Sequence, residues 1–483
     1  MVLSLLASAW QLPAAGVEDR LGLPARDAAG TASKDVQVLS LHMAPEPSTE
    51  YEQFPDSLPA RGRGLRTYGQ LMSTKSSGFQ ISDRLVHVVA LAIFALVLRC
   101  SSVSEPYFAD SFRHVNAIAS GSLILQPPGY FLFNLTGFIT SRLLHLSVVH
   151  ALDAINIFFG VTGVVVFYAL CRRLFDVQHA FLLSLVYACS PLAWFASDIQ
   201  CTYASMTFFA PLLLFLIRGK RSFVLGCFAW AVMTGFRPSD GFFVLPWMLY
   251  EAIDVTWSKR LKGSAFAAAG FLLWWIPTAQ RFGGGILAPF THSKGQAARV
   301  AKGVLAGHPS FYSLVNFVRG CTGMTIAWGI LTPLVVIGIF WLWRDRWVRS
   351  LTIWMAPGIG FFLLYYVSDA TYFSYCVAPG LVVAGFFFAK LGRKRLQTVV
   401  YSMAVACSLL FMFGARPIAP RSPSRALVDA YFVSFSTWAL RHQYGPTLQE
   451  LMGDVEQAAV VDGETKSDNT VAYLVLSRMA TLP

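Results

Sequence analysis

Charge is scarce in this sequence. Asp, Glu, Lys and Arg together make up 13% of its 483 residues, about half of the roughly 25% found in soluble domains. With 55% hydrophobic residues beside that shortage, a large water-soluble globule is excluded. Cysteine in a chemically useful arrangement is also lacking. The eight cysteines are scattered, mostly inside apolar segments (Cys171, Cys189, Cys227, Cys407), with no CxxC pair and no Cys/His spacing suited to zinc. Neither a disulfide framework nor a structural metal is expected. No glycine fingerprint follows a predicted strand, so no nucleotide-binding α/β unit is expected either.

Apolar runs fill the space that charge leaves. Aromatic residues reach 14%, with 39 Phe and 13 Trp, as suits lipid-facing and interfacial surface. A membrane helix needs about 20 mainly apolar residues. By that measure the spans fall near 85–102, 151–172, 179–196, 200–217, 222–236, 239–253, 263–280, 318–343, 348–367, 374–390 and 397–413. The segment 129–146 could also cross, but Asn134, Arg142 and His145 interrupt it.

The net charge of +12 does not describe a nucleic-acid surface. Its basic residues form short clusters between apolar runs, which is how topology is encoded. If 129–146 lies at the membrane surface, the clusters at 171–175, 218–221, 258–262, 343–349 and 392–395 all face one side, and the positive-inside rule makes that side cytoplasmic. The fold class read from this pattern is an all-α polytopic membrane protein with about eleven transmembrane helices and a surface-helix loop after the first. Residues 1–84 read as a disordered cytoplasmic tail, 85–413 as the transmembrane domain, and 414–483 as a small exoplasmic tail or subdomain. Nearly every polar residue that topology leaves unexplained then lies on the outer face.

The first outer loop, 101–133, is the most polar of these segments. Read as a helix from Phe108, it puts Asp110, Arg113, His114, Ala117 and Gly121 on one side and Phe112, Val115, Ile118, Ala119 and Leu123 on the other. The second side is expected in lipid. Glu105 and Asp110 bracket a span end, where carboxylates are costly unless something uses them. The turn QPPGY at 126–130 follows, with paired prolines that fix φ.

An apolar first helix, an acidic loop motif, a surface helix and a PP-containing segment in this order resemble the GT-C superfamily of polyprenyl-phosphate-dependent membrane glycosyltransferases, which includes protein O-mannosyltransferases and aminoarabinose transferases. Asp110-Ser111-Phe112-Arg113-His114 is similar to the family's acidic motif at the Asp, Arg and His positions. Ser111 departs where a second acid is common, and Gln126 replaces a basic residue. Ser190-Pro191 with Asp198 is similar to a further family turn.

The resemblance implies transfer of a sugar from a polyprenyl-phosphate donor to a lipid, glycan or protein acceptor at the outer face. It makes Asp110 the general base, with Glu105 as a possible second acid. Substrate contacts are expected at Arg113, His114, Gln126, Tyr130, Asp198 and Arg237. Further contacts are expected at His292, Lys294 and Arg299 in the loop 281–310, which holds six basic residues and no acid. Solvated or headgroup-touching surface is the plainer reading of that loop. No metal ligands are assigned, although some family members hold a divalent cation with paired acids.

Arg237 and Asp240 in FRPSDG read first as an i, i+3 ion pair at a hairpin tip. Asp153 reads as a dipole-favoured acid at the cytoplasmic start of its span. Asn134-Leu135-Thr136 spells a sequon. The alternative class is a transporter or flippase of a lipid-linked saccharide. Its ionisable groups would lie near the bilayer midplane and its halves would repeat, whereas here the polar residues crowd span ends.

Overall fold

The computed structural model describes residues 80–101, 109–124, 129–219, 222–301, 303–307, 311–366 and 370–414. Glu105 and Gln126, Lys302, His308 and Asp369, and the tails before residue 80 and after 414 lie outside the described residues. Every regular element among the described residues is helical. In hydrocarbon a chain must satisfy its own backbone donors and acceptors, which an apolar helix does within one segment.

The helices run in chain order as α1 (Gln80–Cys100), α2 (Ala109–Ala119), α3 (Phe131–Leu144), α4 (Val148–Leu174), α5 (Val177–Cys189) and α6 (Pro191–Asp198). They continue as α7 (Tyr203–Leu213, closing in a π turn at Leu214–Arg218), α8 (Phe223–Phe236), α9 (Pro238–Ala252), α10 (Trp257–Arg281) and α11 (Ala288–Val300). The last five are α12 (Phe311–Trp328), α13 (Thr332–Trp341), α14 (Arg346–Leu364), α15 (Val377–Leu391) and α16 (Lys394–Gly414). The first helix, α1, starts inside the segment read as a tail.

Five stretches among the described residues are long and apolar enough to cross a bilayer, and a sixth counts if a bent pair is one span. Others expected to cross are shorter: α8 has 14 residues and α9 has 15. The span expected over 179–196 is not a single straight helix. That span is α5 and α6, bent by 50°. Pro191 has no N–H to give the preceding turn and disfavours helical geometry at Ser190, whose ψ is 121°. The bend carries Asp198 and the chain beyond it into the interior, where both α6 and Ile199–Ser205 are buried.

Small residues let helices approach closely. On α4, a Cβ at Gly163 would lie 2.2 Å from the Thr207 carbonyl oxygen of α7. Backbone cannot swing aside as a side chain can, so Gly163→Ala is expected to destabilise the fold by roughly 1–3 kcal/mol, seen as a lower midpoint in a detergent thermal-unfolding assay. The large indoles are satisfied internally: Trp247 Nε1 donates to Ser350 Oγ at 2.8 Å and Trp354 Nε1 to the Tyr375 carbonyl at 3.0 Å, as buried Trp requires.

Contacts divide the molecule into two ends. Asp153 and Arg173 both belong to α4, and twenty residues at 1.5 Å each separate them by roughly 30 Å. Around Arg173 gather the basic clusters. Arg173 Nη1 donates to the Gly219 carbonyl at 3.0 Å, Arg218 pairs with Glu251 at 3.2 Å, and Lys394 pairs with Asp176 at 3.3 Å. The Arg218 guanidinium lies over Trp347, and Gly263 packs against Cys227 and Phe223. Around Asp153 gather the loops from the other side of the sequence pattern. Gln200 Nε2 donates to its carboxylate at 2.5 Å. The reading of Asp153 as a cytoplasmic helix-start acid is therefore corrected: it sits at the opposite end from the basic clusters, as the sixth residue of α4, pinning the loop after α6.

The segment 129–146 stays at the Asp153 end. With 14 residues α3 is short of a crossing, and its Gly137 faces Leu152 and Ile118.

Candidate active site

Asp110 lies in the first turn of α2, where the helix dipole favours a carboxylate. Arg113 Nη1 reaches its Oδ1 at 3.1 Å, with 35% of the Asp110 side chain and 22% of the Arg113 side chain exposed. The expected sorting of α2 into a polar and a lipid face is corrected by its burial. Ser111, His114, Ala117 and Ile118 all point into the protein, while Ala119 is exposed. Ile118, placed on the lipid side, packs against Gly137 instead, because α3 folds back over α2.

His114 is held firmly. Its Nδ1 lies 2.7 Å from Asn134 Oδ1, and Asn134 Nδ2 donates to the Leu123 carbonyl at 3.0 Å. With the amide nitrogen committed to Leu123, the amide oxygen accepts, so His114 carries its proton on Nδ1. Tyr130 and Phe133 meet the imidazole edge-on. Asn134 is fully buried, which leaves the sequon no exposed amide to modify.

Burial drives the His114 pKa down to about 4, against which the Asn134 hydrogen bond and the Asp110 charge act more weakly. His114 is thus neutral at pH 7. The unfolded chain takes up this proton near 6.5 and the folded chain only near 4. Acidification through that window therefore favours unfolding, by up to roughly 3 kcal/mol. The thermal midpoint is expected to fall between pH 6.5 and 4.5, and to fall less steeply in His114→Gln. Parallel curves for the two proteins would count against a buried neutral imidazole.

The turn before α3 is strained. Gly129 has φ +108° and Tyr130 has φ +50°. A left-handed tyrosine persists only where its surroundings hold it. Gly129 is pressed against Thr278, where a Cβ would come within 2.8 Å. Tyr130 is brought into the field of both Arg237 and Asp110, and burial raises its pKa.

Arg237 is the cation at the centre. Phe236 ends α8 and Pro238 starts α9 at its first position, so Arg237 is extended between them. Its Nε donates to Asp240 Oδ2 at 2.8 Å and its Nη1 to Thr202 Oγ1 at 3.2 Å. The guanidinium carbon sits 4.1 Å from the Tyr203 ring centroid and 5.6 Å from that of Tyr372. The i, i+3 ion pair expected here is present, but not at a solvated tip: the two side chains are 5% and 0% exposed. Burial opposes the Arg237 charge, and Asp240 with the surrounding tyrosines outweighs it, leaving the pKa above its ordinary value. Arg237 Nη2 makes no hydrogen bond within the described residues.

Asp110 and Arg237 both act on His114, Tyr130 and Tyr366. One neighbourhood therefore gathers Asp110, Arg113, His114, Tyr130 and Arg237 from the sequence reading, with Thr202, Tyr203, Asp240, Tyr366 and Tyr372 beside them. The tyrosines were not anticipated. For Tyr366 and Tyr372 the one sequence signal is that YY at 365–366 and TYFSY at 371–375 sit at the junction between the expected spans 348–367 and 374–390.

Other expected contacts are placed elsewhere. Asp198 is wholly buried at the end of α6, where its charge acts on Arg99 of α1. His292 and Lys294 are exposed on α11, which also carries Arg299 in its backbone. Among the described residues no three His, Cys, Asp or Glu side chains converge as a metal ion would need.

No protein-family model matches the chain, and no curated protein matches it. Solved structures do. ArnT from Cupriavidus metallidurans bound to undecaprenyl phosphate superposes with TM-score 0.51 at 15% identity, over 83% of this chain and 75% of that one. The chain shares the fold of that ArnT. The apo form of the same ArnT aligns over the same shares with TM-score 0.50. AglB, an oligosaccharyltransferase of Archaeoglobus fulgidus solved with an inhibitory peptide and a dolichol-phosphate, aligns at TM-score 0.42 and 13% identity, over 83% of this chain and 60% of its own. The resemblance read from the first loop is thus met at the level of fold, in a multi-pass integral membrane protein.

Proposed function

We propose that this protein transfers a sugar from a polyprenyl-phosphate donor to an acceptor, with Asp110 as general base. The observation that carries the reading is that a partly exposed carboxylate and a buried, pre-positioned guanidinium both act on His114, Tyr130 and Tyr366 at one end of a GT-C fold. ArnT, which shares that fold, was solved with undecaprenyl phosphate. The positive-inside rule puts the end bearing the basic clusters in the cytoplasm, and so the Asp110 end on the exoplasmic face.

The acceptor oxygen attacks the anomeric carbon as the bond from that carbon to the phosphate oxygen breaks. Asp110 takes the acceptor proton, and the polyprenyl phosphate departs with the bonding pair. Charge grows on the phosphate, where a donor fixed beforehand stabilises the transition state more than the ground state. Arg237 suits that task, because Asp240, Thr202 and two tyrosine rings hold it still while Nη2 is left for a ligand. Arg113 adds a second positive charge on the Asp110 side. The acceptor is a lipid, glycan or protein.

The test is an in vitro assay of the purified protein in proteoliposomes with a panel of polyprenyl-phosphate sugars and radiolabelled sugar. Label appearing on an acceptor supports transfer. Label that crosses the vesicle membrane still attached to its lipid, with no product from any donor, would show a flippase instead.

A further inference from the structure

The segment between α10 and α11 does not run out into water. Six residues separate Trp275 from Arg281, the end of α10, so Trp275 lies roughly 9 Å below that end along the helix axis. Yet Trp275 Nε1 donates to the carbonyl of Ile286 at 2.9 Å. The chain leaves α10 at Arg281, turns through Gly283 and Gly284 at φ +108° and +78°, and folds back along the helix it has left. Phe290 closes the hairpin by packing on Trp275 at 4.6 Å, and Trp275 in turn stacks on Phe271 at 4.9 Å.

The returning tip is apolar and uncovered. Ile286 is 69% exposed and Leu287 62%. On α10 itself Leu273 and Ile276 are also exposed, one helical turn apart around the level of Trp275. Thr278 meets Gly129, and Trp274 meets Gly235, so this is the Asp110 end of the molecule. Arg281 at the end of α10 and His292 and Lys294 on α11 are exposed, and residues 281–294 contain no acid.

We infer that the 282–287 hairpin is a membrane anchor, with Ile286 and Leu287 inserted among acyl chains of the leaflet on the Asp110 side and Arg281 and Lys294 set against phospholipid phosphates. Two independent features point to lipid as the occupant. The hydrogen bond from Trp275 draws the tip back toward the membrane, and the exposed cations in the acid-free stretch that holds it match an anionic headgroup layer. The inference does not depend on the reaction proposed above. It gives the loop a second use: fixing the height of the rim over which a lipid-borne substrate and its acceptor meet.

The test uses the whole protein in liposomes containing phosphatidylglycerol. A spin label is placed at Ile286→Cys with Cys100, Cys321 and Cys407 replaced by Ser, and accessibility is read by power saturation. Oxygen is expected to relax the label several-fold more than an aqueous nickel chelate, as at Leu273→Cys. A label relaxed mainly by nickel, in protein whose circular dichroism matches wild type, would overturn the anchor. In a second arm, wild type is expected to unfold at a higher temperature in phosphatidylglycerol than in pure phosphatidylcholine, and Arg281→Glu/Lys294→Glu is expected to lose that gain. The same gain in both proteins would overturn the headgroup contact. Neither arm measures sugar transfer, so failure of the anchor and failure of the catalytic reading remain distinguishable.

Discussion

Asp110→Asn is expected to lower the turnover number by 10²- to 10⁴-fold while leaving expression and thermal stability close to wild type. The magnitude is that of a positioned general base. The amide has the shape of the carboxylate but cannot accept the acceptor's proton at neutral pH. The structural cost is small because the partner, Arg113, is three residues away on the same helix and both side chains keep partial solvent access. Such pairs contribute at most about 1 kcal/mol. Asp110→Glu keeps the base but shifts it by one methylene, so partial activity is expected, with a larger effect on turnover than on KM. Measured side by side in the proteoliposome assay, equal turnover of wild type and Asp110→Asn would remove this carboxylate from the mechanism.

The parts of this molecule that depend on local sequence were readable in advance. Apolar runs marked the bundle, basic clusters marked one of its ends, and Asp110 with Arg113 and Arg237 with Asp240 were visible as i, i+3 pairs. The depth at which each pair sits was not. Arg237–Asp240 looks like a surface turn in FRPSDG because nothing local reveals that Thr202, Tyr203 and Tyr372 close over it. Those partners come from the far side of the Pro191 bend and from a segment 135 positions downstream. Asp153 failed for a related reason. Its role is set by Gln200, which reaches it only because the chain bends at Ser190-Pro191 and drops inward. Ile118 was given to lipid by a periodicity that cannot know that α3 returns across it.

Removing the acid from the central pair is expected to unfold the protein rather than merely inactivate it. Asp240 is completely enclosed, accepts from Arg237 Nε and from Ser239 Oγ at 3.1 Å, and answers a guanidinium with almost no access to water. Asp240→Ala leaves that cation buried without its counter-charge, a loss of about 3–5 kcal/mol, which for most proteins is a large part of the total stability. Poor recovery from the membrane and a sharply lower thermal midpoint are the expected readings. Arg237→Met/Asp240→Leu removes both charges and fills the volume with apolar atoms, so most of the stability is expected to return. The double variant separates the two roles of Arg237. If the guanidinium serves only to hold α8 and α9 against Tyr203 and Tyr372, the recovered protein should transfer sugar. If it meets the departing phosphate, the protein should fold, insert and remain inactive with Asp110 intact. An active double variant would leave the leaving group without the donor assigned to it, and that part of the mechanism would have to be rebuilt around Arg113.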